Sequence, residues 1–178
     1  MNITNKLGRV AGMAVAAVAI CWLSMAGVAS ANAAQPALQN NFGCAFQTSN
    51  GHYLTAVDGG GRTTEVIHTD ATQIQAWERF TLVPLGGGVY AIQTVDGHYL
   101  TAVGGGGRIT DVIHTDARQI QAWERFSLIF LANNVYGIET VNGHFLTAVG
   151  AGGRTTDTIH SDATQILGWE RFTVTCGH

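Results

Sequence analysis

Lysine is absent from this chain after Lys6, and Arg9 is the only other basic residue before Arg62. Downstream, seven arginines face twelve carboxylates, so the body carries a net charge of about −5. Proteins hold a polyanion with basic side chains that displace its condensed counterions. Nucleic acid, heparin-like chains and anionic membrane surfaces are therefore excluded as partners, and a neutral one is expected. Proline is also scarce: only Pro36 and Pro84 accompany 23 glycines. With 12% charged and 46% hydrophobic residues, this excludes disorder and collagen and leaves one domain rich in turns. The familiar catalytic motifs are missing as well. There is no H-E-x-x-H, no G-x-S-x-G and no carboxylate pair confined to one place in the chain, so an enzyme is not expected.

The one long apolar run lies at the start. Lys6 and Arg9 precede an almost unbroken apolar stretch from Ala11 to Val28, and Ala31-Asn32-Ala33 offers a small-x-small cleavage pattern. Residues 1–33 read as a secretory signal peptide, followed by a short lead-in over 34–42 and a domain over 43–178. An uncleaved anchor is the alternative. Cys21 falls within the apolar run, and Val18-Ala19-Ile20 before it puts a bulky residue where lipoprotein processing requires a small one. Export to an extracellular or periplasmic space leaves Cys44 and Cys176 in an oxidising compartment.

The rest is organised by a period of 46 residues. Residues 51–96 recur at 97–142 with 33 of 46 positions identical, and again from 143 to the end of the sequence, where the copy is cut short. Its missing tail corresponds to Cys44-Ala45-Phe46-Gln47-Thr48, which aligns with Tyr90-Ala91-Ile92-Gln93-Thr94 and Tyr136-Gly137-Ile138-Glu139-Thr140, so the pattern closes on itself. Each copy reads as four short strands separated by Gly-rich turns, with no helical periodicity. In the middle copy they are Tyr90 to Val95, Tyr99 to Val103, Thr110 to Thr115 and Arg125 to Leu131. Twelve strands in three 46-residue units with pseudo-three-fold symmetry fit an all-β fold, a β-trefoil: a six-stranded barrel capped by three hairpins. In the hairpin from Phe80 to Thr94 the Gly86-Gly87-Gly88 turn sets Pro84 opposite Tyr90. The equivalent pair at ring closure is Cys176 and Cys44, which predicts a disulfide latching the two ends of the barrel.

Ile74, Trp77 and Phe80 recur as Ile120, Trp123 and Phe126 and as Ile166, Trp169 and Phe172, and are expected in the core. An exposed, sugar-stacking indole is the alternative for the tryptophans. Leu54, Val57, Leu100, Val103, Leu146 and Val149 are also assigned inside. The runs Asp58 to Gly61, Gly104 to Gly107 and Gly150 to Gly153 precede no helix and lack a P-loop lysine, so they read as tight turns with positive φ rather than phosphate cradles. His52, His98 and His144 are expected in turns entering strands.

The polar residues point more directly to chemistry. His68-Thr69-Asp70, His114-Thr115-Asp116 and His160-Ser161-Asp162 place an imidazole and a carboxylate two residues apart, on one side of an extended strand. Each pair follows a Gly-rich turn, with Gly60, Gly106 or Gly152 inside it and Arg62, Arg108 or Arg154 at its end. A carboxylate takes two adjacent sugar hydroxyls through charge-assisted bonds, and imidazole, guanidinium and bare amides complete such a site. Alternatively, the Asp caps its own turn and the His packs over it. Two ligands from one strand without a third make a poor metal site, so neither metal nor cofactor is expected.

Gly-His-Tyr-Leu-Thr-Ala-Val at 51–57 and Trp-Glu-Arg-Phe-Thr-Leu at 77–82 resemble the fascin-like β-trefoils, whose repeats open with G-x-Y-L-T-A and close with W-x-x-F. The resemblance covers residues 43–178. Bacterial members of that family are often attached to secreted glycan-degrading enzymes, so it implies a carbohydrate-binding module. V-I-H-T-D after a Gly-rich loop is similar to the mussel galactose-binding trefoil lectins, whose H-x-D-x-H motif and Gly-Gly loop grip the sugar. This implies ligand roles for His68, Asp70, His114, Asp116, His160 and Asp162. The last His of that motif is replaced by Thr72, Arg118 and Thr164, which leaves the sugar open. Gln75-Ala76-Trp77 and Gln121-Ala122-Trp123 echo the Q-x-W of ricin-B-type lectins, and Leu167-Gly168-Trp169 departs from it. The expectation is a secreted, monomeric, non-catalytic lectin-like protein with up to three equivalent sites for neutral glycan. The competing expectation is a protein-binding trefoil, such as a protease inhibitor, adhesin or cross-linking protein.

Overall fold

The structure, a computed structural model, describes residues 43–177. The expected signal peptide over 1–33 and the lead-in over 34–42 lie outside the described residues. β-branched and aromatic residues between turn residues build twelve strands: β1 (Ala45–Gln47), β2 (Tyr53–Ala56), β3 (Ile67–Ala71), β4 (Thr81–Gly86), β5 (Val89–Gln93), β6 (Tyr99–Ala102), β7 (Ile113–Ala117), β8 (Phe126–Ala132), β9 (Val135–Glu139), β10 (Phe145–Ala148), β11 (Ile159–Ala163) and β12 (Phe172–Thr175). All pairings are antiparallel. No helix among the described residues is long and apolar enough to cross a membrane.

Six strands follow one another around a ring. β1 pairs with β12, β12 with β9, β9 with β8, β8 with β5 and β5 with β4. The gap between β4 and β1 is bridged by Cys44 and Phe80, whose amides and carbonyls exchange two hydrogen bonds of 2.8 Å. Three hairpins extend from the ring: β2–β3 from β1, β6–β7 from β5 and β10–β11 from β9. Their registers repeat at the sequence period, with Thr55 opposite His68, Thr101 opposite His114 and Thr147 opposite His160.

The hairpin turns explain the barrel register. Gly87 and Gly88 (φ 62° and 80°) and Asn133 and Asn134 (φ 49° and 61°) supply the paired left-handed residues that a two-residue turn between right-twisted strands requires. A register shift beside each turn, between Gly86 and Pro84 and between Ala132 and Phe130, then sets Pro84 opposite Tyr90 and Phe130 opposite Tyr136. At the third corresponding place Cys44 and Cys176 are joined by a disulfide, 132 residues apart in sequence.

Phe46, Phe80, Phe126 and Phe172 are fully buried with Leu82, Ile92, Leu128, Ile138 and Val174. Each such side chain contributes about 1.5–3 kcal/mol by leaving water. Leu54, Leu100 and Leu146 join them, whereas Val57, Val103 and Val149 are half-buried. The tryptophans depart from the expected core: Trp77, Trp123 and Trp169 are 45, 48 and 50% exposed. Trp77 and Glu78 form a turn here, closed by Arg79 N donating to Ala76 O at 3.3 Å. Glu78, Phe80 and Leu82 point inward, and Trp77 points outward. A three-residue spacing mixes the two faces. The third strand of each unit also begins later than expected, at Ile113 rather than Thr110, because Asp111 sits at φ 50° and interrupts the extended backbone. Glu65 and Asp157 do the same at φ 50° and 49°.

Candidate functional site

The His-x-Asp segments fall on β3, β7 and β11. Thr69, Thr115 and Ser161 face inward with no exposure, so the flanking His and Asp share the outer side of the strand. His68, His114 and His160 are half-buried, and Asp70, Asp116 and Asp162 are exposed. Among the described residues these three aspartates make no hydrogen bond or ion pair, so the self-capped turn lacks its bond.

What docks beside each pair comes from a different repeat. Thr69 N donates to Arg154 O (2.8 Å), Gly153 N donates to Thr69 O (2.6 Å) and Arg154 N donates to Thr69 Oγ1 (3.2 Å). Thr115 holds Gly61 and Arg62 in the same way, and Ser161 holds Gly107 and Arg108. Thus the turn Gly152 to Arg154 docks on Thr69, the residue between His68 and Asp70, while Gly60 to Arg62 docks on Thr115 and Gly106 to Arg108 on Ser161. The sequence order had joined each turn to the pair in its own repeat.

The glycines of these turns are dictated by packing. Gly60, Gly106 and Gly152 adopt φ of 117°, 101° and 103° with extended ψ, a region only glycine occupies freely. A Cβ at any of them would collide with Thr94, Thr140 or Thr48 in the adjoining turn. His98, His144 and His52 stand just before β6, β10 and β2, beside Gly61, Gly107 and Gly153. His52 Nδ1 pairs with Asn50 Oδ1 at 2.9 Å, while Nδ1 of His98 and of His144 is buried without a partner.

The guanidinium groups stay with their own repeats. Arg108 Nη2 lies 3.4 Å from Asp111 Oδ2, whose Oδ1 accepts from His114 Nε2 at 2.7 Å. Arg154, Asp157 and His160 repeat this at 3.5 and 2.7 Å. In the first repeat Asp58 replaces a glycine and takes Arg62, with Glu65 at 3.6 Å, so His68 has no carboxylate bonded to it. The three arrangements are therefore unequal. The acidic members line an open cavity of about 510 Å³ formed by residues 63–67, 109–113 and 155–159. No group of three or more His, Cys, Asp or Glu among the described residues is placed to hold a metal ion.

Sequence reasoning overlooked a second recurring feature. Glu78, Glu124 and Glu170 are buried at 5–6% exposure. Their Oε1 atoms accept from Thr55, Thr101 and Thr147 at 2.7–2.8 Å. Their Oε2 atoms accept from the amides of Gln75, Gln121 and Leu167 at 2.8 Å. Recurrence of Glu between an outward Trp and an inward Phe was the available signal. The arrangement fixes the Trp segment against β2, whose Ala56 amide donates to the Trp77 carbonyl (2.9 Å).

No protein-family model matches the chain, and no curated protein sequence matches it. Among solved structures it is similar to the designed 3-fold symmetric protein ThreeFoil, with a TM-score of 0.64 and 12% identity over 76% of this chain and 98% of that one. It is also similar to SeviL bound to asialo-GM1 saccharide, with a TM-score of 0.57 and 12% identity over 77% and 99% of the two chains. A third is the Polyporus squamosus lectin bound to Neu5Aca2-6Galb1-4GlcNAc, with a TM-score of 0.58 and 16% identity over 76% of this chain and 49% of the lectin. At such identities the likeness speaks to backbone arrangement: the ring of six strands and its three hairpins form an all-β fold of the kind seen in β-trefoil lectins.

Proposed function

We propose that this is an exported, non-catalytic, monomeric β-trefoil of the fascin-like kind that binds neutral glycan. Its sites are His68 with Asp70, His114 with Asp116 and His160 with Asp162. The docked turns Gly152 to Arg154, Gly60 to Arg62 and Gly106 to Arg108 wall them respectively. The observation that carries this reading is the set of three exposed aspartates without protein partners, each beside a half-buried imidazole. An unpaired carboxylate on a rigid strand is ready to accept two vicinal hydroxyls in place of water. The absence of lysine after Lys6 and the net negative body favour an uncharged ligand. The saccharide-bound structures that share the fold support glycan as the ligand class but not its neutrality, since Neu5Ac carries a carboxylate. Three weak sites on one rigid body gain apparent affinity for a polymer or cell surface through high local concentration.

The test is a broad glycan and polysaccharide array probed with the purified, oxidised protein and with a folded D70A/D116A/D162A variant. Binding by the wild type and none by the variant is the expected result. A wild type that binds no glycan, but retains a single protein from its surroundings in stoichiometric amount, would replace this reading with a protein-docking one.

A further inference from the structure

Three large aromatic side chains held half in water at equivalent places require an explanation, because exposed indole is normally covered. Trp77 and Trp123 each sit in a shallow cavity lined by their own neighbours. The cavities measure about 250 Å³ for Gln75, Ala76, Trp77 and Glu78 and about 320 Å³ for Gln121, Ala122, Trp123 and Glu124. These lie at or below the lower end of drug-sized pockets, roughly 300–1,000 Å³, so a single ring fits and a helix does not. The platform is rigid, since the adjacent buried Glu is bonded to a threonine and to the Gln75 or Gln121 amide. The Gln75 and Gln121 side chains are exposed, and their side-chain carboxamides, unlike their backbone amides, make no hydrogen bond among the described residues. Each site thus offers a flat π face beside a free planar donor and acceptor.

We infer that Trp77 with Gln75, and Trp123 with Gln121, are aromatic subsites that stack the C–H face of a pyranose ring in an extended neutral saccharide. This rests on the glycan-binding reading above and names where a second sugar residue would sit. Successive amides at the end of β2 point to opposite edges: Ala56 N reaches the Trp77 carbonyl, and Val57 N, just past the strand, reaches the Val66 carbonyl just before β3. Trp77 and His68 are consequently separated by one strand, about 10 Å or two strand spacings. That is the reach of a short oligosaccharide and beyond that of a single ring. In the third repeat Gln is replaced by Leu167, 65% exposed, and Ala by Gly168, so Trp169 has no neighbouring amide to hold a hydroxyl. The subsites are two.

The test titrates the oxidised protein with β-linked gluco- and galacto-oligosaccharides of one to six units, reading affinity and tryptophan emission. The expected result is binding that tightens about tenfold or more from one unit to several, with a blue shift in emission. W77A/W123A should lose the length dependence and the shift while keeping binding of the shortest ligand. D70A/D116A/D162A should lose binding of the shortest ligand. If W77A/W123A does not fold, the readout is acrylamide quenching of the wild type, which bound oligosaccharide should reduce. Unchanged length dependence in a folded W77A/W123A variant, unchanged quenching, or a blue shift that follows protein concentration rather than sugar would overturn the inference while leaving the lectin reading intact. A wild type that binds none of these saccharides would overturn the inference, and the broad array then decides the lectin reading.

Discussion

Removing the carboxylate of Glu124 probes whether the buried Glu–Thr pair fixes the Trp segment to the barrel. Glu124 is 5% exposed, its Oε1 accepts from Thr101 Oγ1 at 2.8 Å, and its Oε2 accepts from the Gln121 amide at 2.8 Å. Hydrogen bonds to a charged group contribute about 1.5–3 kcal/mol each, and a buried donor left alone has a desolvation penalty of similar size. E124A loses both bonds and strands two donors, so it should destabilise by about 3–5 kcal/mol. T101V keeps the shape but strands one carboxylate oxygen, for about 1.5–3 kcal/mol. The two changes share one bond, so the double variant should cost little more than E124A alone, giving a coupling of about 1.5–3 kcal/mol. The assay is urea unfolding of the oxidised protein followed by far-UV circular dichroism, which reports the loss of β-structure. T55V/E78A and T147V/E170A serve as internal repeats. Costs that add to within about 0.5 kcal/mol would refute the pairing.

Two further outcomes follow from the barrel. Reducing the Cys44–Cys176 bond frees a loop of 132 residues in the unfolded chain, and the loop-entropy relation puts its contribution at about 5 kcal/mol. Urea midpoints with and without reductant measure it, and a change worth under about 1 kcal/mol would show the latch to be dispensable. Tyr136 has its pKa raised above the ordinary 10.0 by burial and by Tyr90 beside it. The native state therefore keeps the phenol protonated after the unfolded chain has released its proton. Its contribution to stability is full below pH 10 and declines as pH rises toward the native value. Unfolding midpoints of Y136F should fall less steeply with alkaline pH than those of the wild type. Parallel slopes would contradict the assignment.

The fold was legible because its signals are local and repeated. The Gly86-Gly87-Gly88 turn predicts Pro84 opposite Tyr90, and the same offset carries Cys44 opposite Cys176; the strands reach it through a two-residue turn and a register shift between Pro84 and Gly86. The spacing of three shared by Ile74, Trp77 and Phe80 does not tell inside from outside, because Trp77 and Glu78 sit in a turn that sends the indole out and the carboxylate in. Glu78 was passed over because a carboxylate inside a barrel is intelligible only once Thr55, 23 residues earlier, faces it. The composition of each site was hidden for a further reason. Which turn touches which strand is settled by ring closure, and no sequence-local pattern records that Gly153 bonds Thr69.

That exchange of parts between repeats couples the proposed binding to the fold. A site whose wall and carboxylate came from one repeat would survive partial unraveling of the ring. Here the turn beside Asp70 belongs to the third repeat, the one beside Asp116 to the first and the one beside Asp162 to the second. Opening the ring at any point removes a wall from a site on the far side of the break. The Cys44–Cys176 bond lies where β1 pairs with β12, directly linking the first strand of the ring to the third repeat. Oxidation therefore secures the Thr69 contact to Gly153 and Arg154, which bridges the first and third repeats, and with it the wall of the His68–Asp70 site. The other two sites span consecutive repeats that the chain already joins, so reduction is expected to weaken the first site before either of them.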